Sequence, residues 1–299
     1  MIRRAAAIVA LGLACAALAS DGDEVQPVAW DRLPQPSIGR MPDAVRQAAL
    51  DARNLPLPQR LKAVSEPLLG LPYLLDPLGE GSGWDPDPLA RYDALDCLTF
   101  LEEVLALALA GDPEHAADLR NALRYGDGPR DYAHRRHFME LQWLPGNVEA
   151  GLIRPISAEL GTVTTLRKTV SAATWGSWSR RSLFHLEDAA LPVGEMALDV
   201  LPIAEALRIV DQIPPGTLVL TVRVDRPSVP IWISHVGFTI PADRPTVRHE
   251  TKMKPGESRD HDLAWYLAHL RTYRGWPALG VSLYAPLEQG PRRIDGAIR

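Results

Sequence analysis

The stretch YDALDCLTFLEEVLALALA, from Tyr92 to Ala110, decides how the chain is read. Apolar Leu98, Leu101, Val104, Leu105 and Ala108 recur at the three- and four-residue spacing of a helix. Asp96 is placed to cap the first turn, and Gly-Asp-Pro at 111–113 stops the helix. The pattern therefore predicts a helix that begins at Cys97. A thiol there meets the unpaired N–H groups and the dipole of a helix N-terminus, which favour an anion. The expectation is a thiol that ionises readily, with N–H groups placed to hold an oxyanion. Asp96 opposes this by local repulsion, so the thiolate needs a cationic partner.

Outward from this stretch the composition is ordinary. The 299 residues suffice for one large domain or two small ones. The net charge of −5, with no basic stripe to neutralise phosphates, argues against a nucleic-acid partner. The N-terminus reads MIRRAAAIVALGLACAALAS: a short basic start, an apolar run too short to span a bilayer, and a small-x-small site at Ala17–Ala19. Residues 1–19 are read as a signal peptide, 20–36 as a flexible leader and 37–299 as a single domain. An exported, periplasmic protein is expected. A lipoprotein at Cys15 is the weaker reading, because Gly12 stands where leucine is usual. No other segment is apolar enough for a membrane span. Loss of Cys15 leaves Cys97 as the sole cysteine of the mature chain. In an oxidising compartment such a residue is buried and inert, links two chains, or is reactive.

Short helices broken by Pro56 and Pro58 are predicted before the cysteine, with Asp43 as a cap, and another over 113–128. Residues 155–213 are not placed. From Pro214 the period changes to that of strands: TLVLTVRV (217–224), VPIWISHVGFTI (229–240) and TVRHETKM (246–253). RDHDLAWYLAHLRTYRG (259–275) reads as helix and ALGVSLYAP (278–286) as a last strand. Helices first and an antiparallel sheet later make an α+β fold.

His235 lies mid-strand among Ile233, Val236 and Phe238, and His249 follows 14 residues later, a length suited to a hairpin return. A lone strand histidine is more often a hydrogen-bonded core residue than a base. With Cys97 and His249, however, it makes a set in which one imidazole takes the thiol proton and the other orients it. His134 and His137 give only two ligands of the three or four a metal needs, and Cys97, His235 and His249 already have a use, so no metal or other cofactor is expected.

DCLTFLEE, then ISHVGF, then RHET resemble the NlpC-type cell-wall hydrolases, a papain-like cysteine peptidase and amidase superfamily. Within it the chain is most similar to the N-acetylmuramoyl-L-alanine amidase-like branch. The shared pieces are GLPY (70–73), Asp-Cys-x-Thr-Phe-x-Glu (96–102), RYGDG (124–128), RRHF (135–138) and the histidine strands. The chain reads His-Glu-Thr where the branch has His-Ala-Ser, and Thr217 where it has Asp. The resemblance implies a papain-like fold, with a helix-start cysteine packed on a C-terminal antiparallel sheet. It implies Cys97 as nucleophile, His235 as base and His249 as orienting group. Tyr73, Asp96, Arg135 and His137 become candidates for the substrate side, and peptidoglycan fragments (muropeptides) the expected partner, with no obligate protein partner. The bland readings are a packed aromatic for Tyr73 and a salt-bridged face or a helix C-cap for Arg135 and His137. The implied reaction is hydrolysis of the bond joining muramic acid to L-alanine. The alternatives are a D-glutamyl-diamino acid endopeptidase and a non-catalytic muropeptide-binding module.

Overall fold

The computed structural model describes residues 40–288, so the expected signal peptide and leader lie outside the described residues. Four helices come first: α1 (Asp43–Ala52), α2 (Leu57–Ser65), α3 (Cys97–Ala110) and α4 (Ala116–Tyr125). Pro58 sits in the first turn of α2, where a missing N–H does no harm. Asp43, expected to cap α1, is instead its first helical residue behind Pro42. Short helices α5 (Leu144–Glu149), α6 (Ser157–Leu160), α7 (Ala172–Ser177) and α8 (Ile203–Arg208) follow, and α9 (Leu263–His269) lies near the end.

Helix α3 begins at Cys97, as its sequence predicts. It is buried on all sides, because it packs against α2, α4 and the sheet at once. Two acids in its middle are buried with it and are matched. Glu102 accepts from Arg124 Nε at 2.6 Å and Trp143 Nε1 at 2.9 Å. Glu103 accepts from Arg120 Nε at 2.6 Å and the Tyr92 hydroxyl at 2.5 Å. Removing one partner of such a buried pair costs about 3–5 kcal/mol.

The strands are β1 (Ile153–Pro155), β2 (Thr164–Val170), β3 (Gly194–Pro202), β4 (Leu218–Arg223), β5 (Ile233–Ile240), β6 (Thr246–Thr251), β7 (Glu257–Asp262) and β8 (Ala278–Pro286). All pair antiparallel, in the order β2-β3-β8-β4-β5-β6-β7, with β1 against β8. The protein is α+β. The unplaced segment supplies β2 and β3 at one edge. One face of the sheet packs Val236 and Phe238 against Phe100 and Leu101 of α3; the other packs Val219, Val247 and Val281 against Leu263 and Leu267 of α9. The rings of Phe100 and Phe238 stack at 5.9 Å, which pins the start of α3 over β5.

The reading of 259–275 as one helix needs correction. Its first four residues belong to β7, which pairs with β6 from Thr246↔Asp262 to Thr251↔Glu257. Gly256 at φ 85 turns the hairpin, and Asp262 ends the strand by capping α9, accepting from Trp265 N at 2.8 Å. The strand is rich in charge, so its alternation carries no apolar signal.

Candidate active site

The start of α3 is built by its own motif. Asp96 Oδ1 accepts from Thr99 N at 2.8 Å, and the Thr99 hydroxyl accepts from Asp96 N at 3.0 Å, a reciprocal cap. The other carboxylate oxygen accepts from Asp76 N at 3.3 Å. Burial, then the adjacent Cys97, pushes Asp96 up to about 6. Asp96 is thus committed to the helix and to the loop before it. Leu95 is tied on both sides, giving N–H to Pro72 O at 3.3 Å and accepting from Leu74 N at 2.9 Å. GLPY therefore runs between the approach to Cys97 and β7, where Tyr73 N donates to Gly256 O and Gly70 N to Ser258 O, both at 2.9 Å. Tyr73 is half-buried, with the Lys252 ammonium 5.4 Å from its ring centre.

The histidines meet across the strands. His235 Nε2 and His249 Nδ1 are 2.7 Å apart, and the rings stand edge-on at 76°. Gly237 makes this approach possible: a Cβ there would lie 2.9 Å from His249 Cβ and 3.0 Å from Arg248 O. Glu140 holds the start of β5, accepting from Trp232 N and Ile233 N at 2.5 Å. His235 is half-buried, whereas His249 is buried and held well below the usual imidazole range by burial, then by His235 and His261. His261, on β7, extends the pair: His249 Nε2 and His261 Nδ1 are 2.8 Å apart. Sequence reasoning missed it by reading its strand as helix; the Pro255-Gly256 turn between two polar hairpin arms is the signal that could have found it.

Cys97 is 1% exposed, on a helix packed against β5 and β6. Its charge bears on Asp96, on Glu250 of β6 and on Tyr266 of α9. The Tyr266 ring lies 5.3 Å from that of His249 and 6.3 Å from that of His235. The helix that starts at Cys97 thus packs on the two strands that carry His235 and His249.

Glu250, one of the residues that depart from the branch pattern, is wholly buried on β6. The Ser258 hydroxyl donates to Leu68 O, so neither carboxyl oxygen of Glu250 finds a donor among the described residues. Burial, then Asp96 and Cys97, pushes it up to about 9, so it is a neutral acid at pH 7.

The structure does not bring Arg135 and His137 to this place as open binding groups. Arg135 donates from Nε to Glu80 at 2.9 Å, from one terminal nitrogen to Asp85 at 2.7 Å and from the other to Leu78 O at 3.2 Å, with Asp76 at 3.7 Å. Its fork is filled by the loop preceding the cysteine. His137 is buried, its Nε2 is 2.6 Å from Tyr132 O, and burial followed by Arg135 holds it down at about 3, so it is neutral. RYGDG serves the same framework: the Arg136 guanidinium lies where a Cβ on Gly126 or Gly146 would be, at 2.5 Å in each case. Thr217, in place of the branch aspartate, gives its hydroxyl to Pro214 O at 2.8 Å. A cavity of about 400 Å³ lined by Pro56, Pro58, Pro214 and Thr217 contains none of the residues of the cysteine–histidine centre.

An all-antiparallel sheet whose histidine strands abut an Asp-Cys helix start defines an α+β domain with its polar centre at that junction. The chain belongs to the AmiA-like family, described as N-acetylmuramoyl-L-alanine amidase-like, whose model matches residues 63–272. It is similar to a crystal structure from Legionella pneumophila of the DUF1460 family model (TM-score 0.71, 22% identity, covering 81% of this chain and 93% of that one). It is also similar to an N-acetylmuramoyl-L-alanine amidase from Bacteroides uniformis (TM-score 0.60, 20% identity, covering 76% and 99%). At these identities the likeness is one of fold. No curated protein matches the chain.

Proposed function

We propose that this protein is a cysteine amidase that cleaves the bond between the lactyl group of N-acetylmuramic acid and L-alanine in peptidoglycan fragments. Family membership supports a peptidoglycan amidase. The observation that carries the cysteine mechanism is the 2.7 Å contact between His235 and His249 beside the helix that starts at Cys97. With Nε2 of His235 engaged by His249, Nδ1 is the ring nitrogen left for chemistry. It takes the thiol proton, and the sulfur attacks the lactyl carbonyl carbon. The first N–H groups of α3 hold the oxyanion. His235 then gives its proton to the departing L-alanine nitrogen. A water, deprotonated by His235, opens the thioester and restores the thiol. His249 orients the base. Export through residues 1–19 would bring the enzyme to its substrate in the cell envelope.

The test is mass spectrometry of soluble muropeptides digested with the mature protein. The expected products are a free stem peptide beginning with L-alanine and a peptide-free sugar. A peptide beginning with the diamino acid would make it an endopeptidase. Muropeptide retention without turnover or thioester would make it a binding module.

A further inference from the structure

The proposed mechanism uses two imidazoles, but the structure contains a hydrogen-bonded file of three. Each strand of the β5-β6-β7 meander contributes one ring, and the register puts them on one face: Val247 stands opposite His261, and Val247 and His249 share a side of β6. The contacts at 2.7 and 2.8 Å run Nε2 to Nδ1 both times. The second pair of rings repeats the edge-on geometry of the first, at 77° against 76°. Helix α9 lies over the file. Its capped first turn stacks Trp265 on His261 at 4.7 Å and 24°, and Tyr266 stands edge-on to His249.

Counting hydrogens restricts what such a file can do. Three neutral imidazoles carry three ring hydrogens, and each N···N contact holds one. One hydrogen is left over, and it has two possible places. If all three rings donate outward, it sits on Nε2 of His261, and Nδ1 of His235 is a bare lone pair. If all three donate inward, it sits on Nδ1 of His235, which then cannot accept. Only the outward sense makes His235 a base.

We infer that His261 is a positioning residue for the thiol chemistry: by accepting from His249 Nε2 it sets the outward sense. This rests on the reading of Cys97 and His235 given above. No charge needs to travel along the file: His249 is 1% exposed with its charged form disfavoured, and burial first, then Arg259 and His269, holds His261 below the usual imidazole range, with only Asp260 acting the other way. The half-buried outer edge of His261 leaves Nε2 a place to donate to water while Nδ1 accepts from His249.

The test uses His261→Leu, which removes the acceptor, and His261→Asn, whose amide oxygen can take the place of Nδ1. Two readouts are needed, Cys97 alkylation by iodoacetamide against pH and turnover of a muropeptide. The alkylation profile does not depend on the substrate assignment, and Cys97→Ala tests that assignment separately. The expected result for His261→Leu is a displaced alkylation profile and a kcat lower by about 10-fold, with KM within about 2-fold of wild type. His261→Asn should recover most of both. A wild-type alkylation profile and kcat in His261→Leu would overturn the inference. So would equal impairment of the two variants with equal loss of Tm, since that is the mark of a packing role alone. If wild-type Cys97 alkylates as an ordinary thiol, the cysteine reading itself fails, and that result is distinct from either.

Discussion

Two polar regions of this molecule look alike in sequence and differ in what their atoms have left over. Around RRHF, Arg135 spends its donors on Glu80, Asp85 and Leu78 O, Arg136 lies flat on Gly126 and Gly146, and His137 is held by Tyr132. Around the histidine strands, Glu250 has two oxygens without a donor and His235 keeps one nitrogen beyond its contact with His249. In the first region the cation and the imidazole are fully engaged and hold the frame, with Glu80 Oε2 left without a donor among the described residues. The second is open, and burying such groups without partners is unfavourable unless they act. A buried arginine or histidine is not by itself a sign of function; the remaining capacity of its donors and acceptors is.

The widest separation between the two regions should come from the reacting groups. Cys97→Ala should reduce muropeptide turnover by roughly 10³-fold or more, and His235→Ala by a comparable factor. His249→Ala should leave more activity than either, and all three should melt near the wild type. A kinetic assay beside a thermal melt checks this; near wild-type rates in His235→Ala would break the comparison.

Arg135→Ala should do the reverse. Removing the cation strands Glu80, Asp85 and Asp76 in a buried site, so unfolding free energy should fall by about 3–5 kcal/mol. KM of the protein that remains folded should change little. A large rise in KM with unchanged stability would place Arg135 in the binding surface instead.

Glu250→Gln sharpens the contrast through pH. The folded-state value of Glu250 is raised from 4.5 to about 9, so the folded protein holds a proton that the unfolded chain releases. Stability is therefore fully present below about 4.5 and is lost as pH rises through the interval up to about 9. The glutamine keeps the shape without the titration. Its Tm should match the wild type at pH 5 and exceed it increasingly toward pH 9, by circular dichroism melts across that range. A constant offset would mean that Glu250 does not hold its proton.

The smallest effect belongs to the helix start. Thr99→Ala removes one half of the reciprocal cap and should cost about 1 kcal/mol, read as a shift in urea midpoint. It leaves Cys97 in sequence and should reduce kcat only modestly.

Much of this was legible in the sequence for identifiable reasons. The start of α3 follows from Asp96, Thr99 and an apolar run with a glycine stop; β4, β5, β6 and β8 follow from β-branched alternation bounded by turns. The pairing of His235 with His249 follows from hairpin spacing. What was not legible depends on partners distant in the chain. The fork of Arg135 points to a loop about 50 residues earlier, which no local pattern reveals. His261 was hidden because β7 alternates charge with charge, so a two-residue period leaves no apolar trace.

That same strand has a consequence for solubility. β7 ends the sheet, and an outermost strand offers its spare N–H and C=O groups to any other extended chain. Here Glu257, Arg259, Asp260 and Asp262 line it with charge, and Gly70–Tyr73 lies over its first residues through the Pro72↔Glu257 bridge. Neutralising those charges, or loosening GLPY, should therefore show first as self-association at high concentration, before any loss of the fold itself.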